Sequence, residues 1–394
     1  MLTLRPVAPF LQRTCCSLRF YARPTTTTSK KSSSSPSKTE AMKKFVHQET
    51  LRYLSPTCNV KVISDIFLKV RSADVHEYPN GDVFIAQLHG GPAKNCPASM
   101  EVNVSDDENN VEVVVKKLKD DTGDFFCELE VPVKASLEAT SNSGANISKI
   151  FGDFLKLKAE NYISVSDVKA EEISVESVNG NVFSRGLLLG KRTKIVTNNN
   201  GHIILDKLQG DEILCKTDNG NITTNCCYVE SSVFETNAGD LDLKNIHKTS
   251  QVNVQQAEGN LKMTGVHGNL NVNFNGTAME LQLSELNGEN CIKSNQAKSI
   301  VINISDDIEN NTSILANLQN KNSGITLDPS LQHLNEGLSE NKQCFKWPKD
   351  KEQECKLEVN VNSPLTLGKS SWADMLRLKM QQNQKNNNNN NNAM

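Results

Sequence analysis

Phe234-Glu-Thr-Asn-Ala-Gly239-Asp-Leu241-Asp-Leu-Lys-Asn-Ile246 is followed, twenty residues on, by Val254-Gln-Gln-Ala-Glu-Gly259-Asn-Leu261-Lys-Met-Thr-Gly-Val266. With each glycine as origin, the residues five before, two after and seven after it are apolar in both copies. The same frame fits Gly180, Gly201 and Gly220, where those positions read Val175, Val196 and Cys215, then Val182, Ile203 and Ile222, then Leu187, Leu208 and Cys227. None of the fifteen positions is charged or amidic. The residues between them are mostly Asn, Asp, Lys, Thr, Ser and Glu, so apolar and polar positions alternate over short runs, which is the period of a strand. An extra short-spaced Gly268 precedes a last frame glycine at Gly288.

A unit of about twenty residues holding two or three short strands cannot bury its apolar edge alone, but stacked copies can. The chain is therefore expected to be all-β, a β-solenoid (single-stranded β-helix) of about twenty residues per coil. Gly180, Gly201, Gly220, Gly239, Gly259 and Gly288 are expected at its turns, where glycine suits a positive φ. Seven or eight coils at ~4.8 Å predict a rod of roughly 35 to 40 Å.

Outward from this stretch, residues 134–304 are read as the solenoid repeats, with an irregular glycine frame before Glu172. Residues 57–133 alternate like strands but do not repeat, and turn signals such as Pro79-Asn-Gly81 and Gly90-Gly-Pro92 separate the runs. They are expected to be a small antiparallel β region that caps the first coil, whose strand edge would otherwise be open. Residues 305–380 are read as a variable segment: a long polar loop over 305–321, a strand at 356–361, and a short helix begun by the capping box Ser371-Trp372-Ala373-Asp374. Trp372, Met375 and Leu376 share its apolar face, which suits a terminal cap or, on the sharper reading, a helix that docks on a partner. Residues 381–394 form an asparagine-rich tail read as disordered low complexity.

The first 38 residues differ in composition from all that follows. They carry Arg5, Arg13, Arg19 and Arg23, many Ser and Thr, and no acidic residue. That is transit-peptide and linker chemistry, and Arg19-Phe20-Tyr21-Ala22 resembles a matrix-processing site, so the expected address is mitochondrial, in the matrix. Over the whole chain the formal net charge is −3, with 37% hydrophobic and 5% aromatic residues. No apolar run approaches the ~18 residues of a membrane helix, so no transmembrane segment is expected. The absence of a basic excess argues against a nucleic-acid partner.

Candidate chemistry is sparse. The eleven cysteines include no CxxC, and Cys215 and Cys227 fall on inward positions, where cysteine acts as a small apolar residue. The seven histidines show no HxxxH or HExxH pairing, and neither a metal nor a cofactor motif is present. One residue after each glycine an outward column reads Asn181, His202, Asn221, Asp240 and Asn260. Asp240 and Asp242, about 6.5 to 7 Å apart along one strand, have a spacing compatible with the carboxylate pair of a polysaccharide-cleaving β-helix enzyme. Their neighbours are amides, a threonine and a lysine, with no aromatic platform for a sugar, so two solvated aspartates are the simpler reading. A nine-residue calcium repeat does not fit a period of twenty.

Leu129-Glu-Val-Pro-Val-Lys134 and Leu137-Glu-Ala-Thr140, followed by the glycine coils, resemble the putative-adhesin β-solenoid family. Leu205-Asp-Lys-Leu-Gln-Gly210, Tyr228-Val-Glu-Ser-Ser232, Ala238-Gly-Asp240 and the closing Ser370-Ser-Trp372 with Leu376-Arg-Leu-Lys379 resemble, more narrowly, the eukaryotic "family with sequence similarity 185". The resemblance spans about residues 125–380. It implies a β-solenoid behind a mitochondrial-type leader and assigns no reaction and no catalytic residue; the insert near 305–322 and the asparagine tail depart from it. The expected function is thus a non-catalytic scaffold or binding protein with an unidentified protein partner. The alternatives are a carbohydrate-binding or carbohydrate-active β-helix protein and an exported adhesin.

Overall fold

The computed structural model describes residues 45–91, 96–119, 125–349 and 353–370. The leader, the asparagine tail and the helix expected around Trp372, Met375 and Leu376 lie outside these residues. The described chain is a β-solenoid, joined as one continuous sheet. Its first strands are β1 (Phe45–Tyr53), β2 (Asn59–Ser64), β3 (Phe67–Ser72), β4 (Val83–Gly90), β5 (Ala98–Val104), β6 (Asn110–Lys117) and β7 (Phe126–Val131). Then come β8 (Ser136–Ser141), β9 (Ala145–Ser148) and β10 (Phe154–Ala159), followed by the long bent strands β11 (Ile163–Ser177), β12 (Val182–Thr197), β13 (Ile203–Thr217), β14 (Ile222–Thr236), β15 (Leu241–Val254) and β16 (Asn260–Phe274). The C-terminal part holds β17 (Ala278–Leu286), β18 (Glu289–Ser294), β19 (Ser299–Ile304), helix α1 (Asp306–Asn311), β20 (Thr312–Leu318), β21 (Ile325–Leu327), a 3₁₀ helix at Pro329–Gly337, β22 (Cys344–Trp347), β23 (Cys355–Val361) and β24 (Leu365–Lys369).

Each coil has three sides. In β15 the first side is Leu241 to Lys244, the narrow second side is Ile246 and His247, and the third runs from Thr249 to Val254. Parallel pairing repeats from coil to coil, as in Leu241↔Leu261, Ile246↔Val266 and Val252↔Val272. The core is the stack of inward residues, and thirteen of the fifteen frame positions are buried. Val196 and Leu187 are the exceptions. They lie in the longest step, Gly180 to Gly201, where the frame slips by one residue and Ile195 and Leu188 take the inward places, paired with Cys215 and Leu208. Cys215 and Cys227 are fully buried as expected. Burial pushes the Cys227 thiol up to about 12 and that of Cys127 likewise to about 12, which removes the thiolate at neutral pH. No disulfide joins the described cysteines.

The turn glycines are needed for space more than for φ. A Cβ on Gly220 would lie 1.8 Å from the Gly201 carbonyl oxygen, and one on Gly239 would lie 1.7 Å from that of Gly220. Gly201, Gly259 and Gly276 meet the preceding turn's carbonyl at 2.4, 2.4 and 2.5 Å. Of the six expected positions only Gly259 (φ 90°) and Gly288 (φ 64°) have the predicted positive φ. Gly288 is at a different corner, where Asn287 N–H donates to the Gly268 carbonyl, and Gly276 continues the turn ladder in its place. Beneath the turns runs a column of buried hydroxyls. Ser177, Thr217 and Thr236 accept from the N–H of Gly180, Gly220 and Gly239 at 3.0, 3.1 and 2.9 Å.

The ends depart from the expected layout. In place of one antiparallel region over 57–133, β2 and β3 pair in parallel with β8 and β9 on one side and with β6 and β7 on the other. They are solenoid coils, and only β1, β4 and β5 form an antiparallel cap. Ser305 to Lys321 is not a loop. Ser305 Oγ caps α1 by accepting from Ile308 N–H at 3.3 Å, and β20 follows as a coil strand. The third side therefore stacks thirteen parallel strands, in the spatial order β6, β2, β8, β10, β11 to β16, β18, β23 and β20. At ~4.8 Å per step the rod is about 58 Å long, well beyond the seven or eight coils legible as glycine repeats. Among the described residues, no helix is long and apolar enough to cross a membrane.

Candidate functional site

The narrow second side offers one outward residue per coil, so its side chains stand in single file. Strand register aligns Lys169 with Leu189, Leu189 with Gln209, and Gln209 with Tyr228. Further along, His247 aligns with His267 and His267 with Glu285. Planar side chains in adjacent coils stack. The Tyr228 and His247 rings are 4.2 Å apart at 23°, and the His247 and His267 rings 4.8 Å apart at 5°. His267 Nδ1 faces Glu285 Oε2 at 3.7 Å. Burial holds His247 below the ordinary imidazole value, and the neighbouring His267 lowers it further. In parallel rings the in-plane nitrogen lone pairs do not converge, so this arrangement does not build a two-histidine metal site, and among the described residues no cluster of three metal-ligating side chains occurs.

Beside this file, at the corner between second and third sides, lies an open groove of about 540 Å³. Its floor is glycine: Gly152, Gly190 and Gly210. Gly210 has φ 148°, and a Cβ there would lie 1.7 Å from the Gly190 carbonyl oxygen, so this coil cannot carry a side chain at that corner. Phe151, 44% exposed, forms one apolar wall and the half-buried Leu189 another. Lys134 and Lys169 stand at one end, both exposed and in no ion pair among the described residues. Glu171 and Lys191 pair across the middle at 2.5 Å, and that hydrogen bond holds the Glu171 carboxyl below its ordinary value. Asp211 closes the other end.

The aspartates weighed for catalysis are engaged elsewhere. In the column after the turn glycines each side chain accepts from the backbone N–H of the next coil: Asn181 from His202 at 2.8 Å, His202 Nδ1 from Asn221 at 2.9 Å, Asn221 from Asp240 at 2.9 Å, and Asp240 from Asn260 at 2.7 Å. Asp242 Oδ2 takes the Lys244 ammonium at 2.6 Å, while its Oδ1 is buried without a hydrogen bond. In register, Asp242 lies between Thr223 and Lys262, the neighbours read from the repeat.

Two features escaped the sequence reading. The first is the ring file, an aromatic platform where none was expected. Its signal was present, since Tyr228, His247 and His267 each fall eight residues after a turn glycine. The second is the glycine corner, marked in the sequence by Gly190, Gly210 and Gly268 nine or ten residues after frame glycines. The six turn glycines named from the sequence shape the rod and line neither feature.

No protein-family model matches the chain, and the resemblance to "family with sequence similarity 185" gains no support. Among solved structures the chain is similar to a putative cell adhesion protein from Clostridium sporogenes, at 8% identity and a TM-score of 0.21, over 82% of this chain and 99% of that one. A likeness at that score carries no argument about function.

Proposed function

We propose that this protein is a non-catalytic binding scaffold, a rigid rod that recognises a partner along its narrow side. The observation that carries the reading is the coincidence, on one side, of the open glycine-floored groove and the stacked file of Tyr228, His247 and His267. Both are held by strand pairing to neighbouring coils, so they are ordered before any partner arrives, and a preorganised surface binds without a large ordering cost. Solenoids present extended surfaces of this kind to other macromolecules. The commitment of Asp240 to the backbone and side-chain amides of Asn260 and of Asp242 to Lys244 favours scaffold over polysaccharide cleavage.

The acid-free leader supports a place in the mitochondrial matrix. Protease protection in purified mitochondria with mapping of the mature N-terminus tests this. A protected chain beginning near Ala22 is expected, whereas an unprocessed or external protein would move the adhesin reading ahead. Partner binding is tested by cross-linking in organelles with the wild type and with a Phe151→Ser/Tyr228→Ala variant. A discrete adduct lost in the variant is expected, and the same adducts from both proteins would sink the assignment to this side.

A further inference from the structure

The shape and charge order of the groove say more than that something binds there. From Phe151 to Tyr228 the surface spans four coil steps, through Ala170, Gly190 and Gly210, or about 19 Å at ~4.8 Å per step. That is the length of about six residues of extended chain at ~3.3 Å each. The floor is glycine backbone with one methyl, that of Ala170, which lets another backbone approach closely. The charges along it are polar in sequence. Lys134 and Lys169, in no ion pair among the described residues, lie at one end, the Glu171–Lys191 pair lies in the middle, and Asp211, near enough to act on the Lys191 ammonium, lies at the other. One coil beyond Asp211, Tyr228 is 52% exposed. Its ring is covered by His247 on one face, and the opposite face looks over Gln209. A carboxylate one coil before a half-exposed phenol suits a cation, above all a planar guanidinium.

We infer that the groove receives an extended peptide segment of a partner protein, with a carboxylate side chain on Lys134 and Lys169, apolar side chains against Phe151 and Leu189 over the glycine floor, and an arginine or lysine on Asp211 and the exposed part of the Tyr228 ring. This rests on the scaffold reading above and gives it a ligand chemistry. Charge complementarity at both ends fixes which way the peptide lies. A uniformly acidic or uniformly basic segment matches only half the groove.

The experiment is selection of a random nonapeptide display library on the full-length chain. The expected result is enrichment of sequences with an acidic residue at one end, an apolar centre and a basic residue at the other. A representative synthetic peptide should lose at least tenfold in affinity for Lys134→Glu/Lys169→Glu and, separately, for Tyr228→Ala. A peptide whose acidic end is changed to lysine should recover binding to the charge-reversed variant. Phe151→Ser, at an exposed site on the opposite wall, gives an independent loss. No enrichment, enrichment without charge order, or affinities indifferent to all three variants would overturn the inference. If selection fails while the organelle cross-link still depends on Phe151 and Tyr228, the peptide chemistry is wrong and the scaffold reading stands.

Discussion

Between Ile163 and Phe274 the chain climbs the rod one coil at a time, whereas at both ends it builds out of order. At the N-terminal end the coil β2–β3, first in the chain, is second in space, between β6–β7 and β8–β9. At the C-terminal end β23–β24, last of the described chain, lies between β18–β19 and β20–β21. The outermost parallel coil thus follows its inner neighbour in the chain at the N-terminal end and precedes it at the C-terminal end. A coil added last at a free end frays, because only one face of it is paired. An inserted coil is paired on both faces, so the described chain ends inside the rod. The two caps then differ. The N-terminal end closes with the nine-residue edge strand β1, which pairs only with β4, and the C-terminal end with the short β22 and the 3₁₀ helix.

The largest test of this contrast is truncation. Deleting everything from Cys355 onward removes a coil from within the stack and leaves β18–β19 and β20–β21 without their shared partners. Hydrogen exchange should lose protection from about Glu289 to Leu327 while β11 to β16 keep theirs. Deleting up to Tyr53 removes, among the described residues, β1 and nothing else, and should leave protection beyond β4 nearly unchanged. Equal damage from both deletions would mean that the inserted coil adds nothing over an appended one.

A smaller test compares glycines of the regular middle with one at the end. Gly220→Ala places a Cβ 1.8 Å from the Gly201 carbonyl oxygen, in a column where every coil is pinned by its neighbours. A loss of about 4 kcal/mol or more is expected from urea unfolding, the size reserved for steric conflict with no route to relax. Gly91→Ala meets nothing within 4 Å and should change stability by less than about 0.5 kcal/mol.

The same contrast governs what the sequence disclosed. In the middle one coil is one period, so the glycine frame identified the fold and thirteen of fifteen core positions; it failed where the 21-residue step slipped the register at Leu187 and Val196 and at Gly288, which lies at a different corner from the turn ladder. At the ends the inserted coils are ordinary alternating strands such as Asn59–Ser64. Their place depends on which distant edge they pair with, and spacing along the chain carries no trace of that. The asparagine and aspartate content of 305–321 masked the buried alternation of Thr312, Ile314, Ala316 and Leu318. The ring file was legible in the repeat. The groove was not, because Lys134 and Phe151 come from irregular coils that no glycine frame aligns with Gly190 and Gly210.

The C-terminal cap carries a charge cluster that the middle lacks. Glu309, its side chain 12% exposed, accepts from Lys369 at 2.7 Å and is paired with His333 at 2.6 Å, tying α1 to β24 and the 3₁₀ helix. Burial raises its carboxyl, and the hydrogen bonds from Lys369 and His333 outweigh this, so the net shift is downward. A carboxyl lowered on folding stabilises above its unfolded pKa, and that contribution is lost as pH falls through the lowered folded value. Glu309→Gln should therefore cost about 1 to 3 kcal/mol at neutral pH. The gap from the wild type should close in acid, as followed by urea midpoints across pH. A pH-independent gap would place the cost in packing instead.

The smallest effect belongs to the middle, at the ring file. His247 is lowered on folding by burial and by His267, so between its folded and unfolded pKa the unfolded chain holds more protons. Stability then rises with pH through that window. It is full above the unfolded value near 6.5 and falls as pH drops below it. The groups that face this imidazole bear on the sign: Tyr228 on one face is neutral, His267 on the other lowers it after burial does, and the Glu285 carboxylate beyond raises it without reversing the direction. His247→Phe keeps a ring in the stack and removes the proton, so its melting temperature should match the wild type at pH 8 and exceed it at pH 5. If the wild type were instead the more stable of the two at pH 5, the stack would be gaining from an imidazolium over a tyrosine face, and the file would be a cation–π array whose charge grows in acid. The sign of that single difference therefore decides whether the narrow side offers a neutral or a positive surface to the partner.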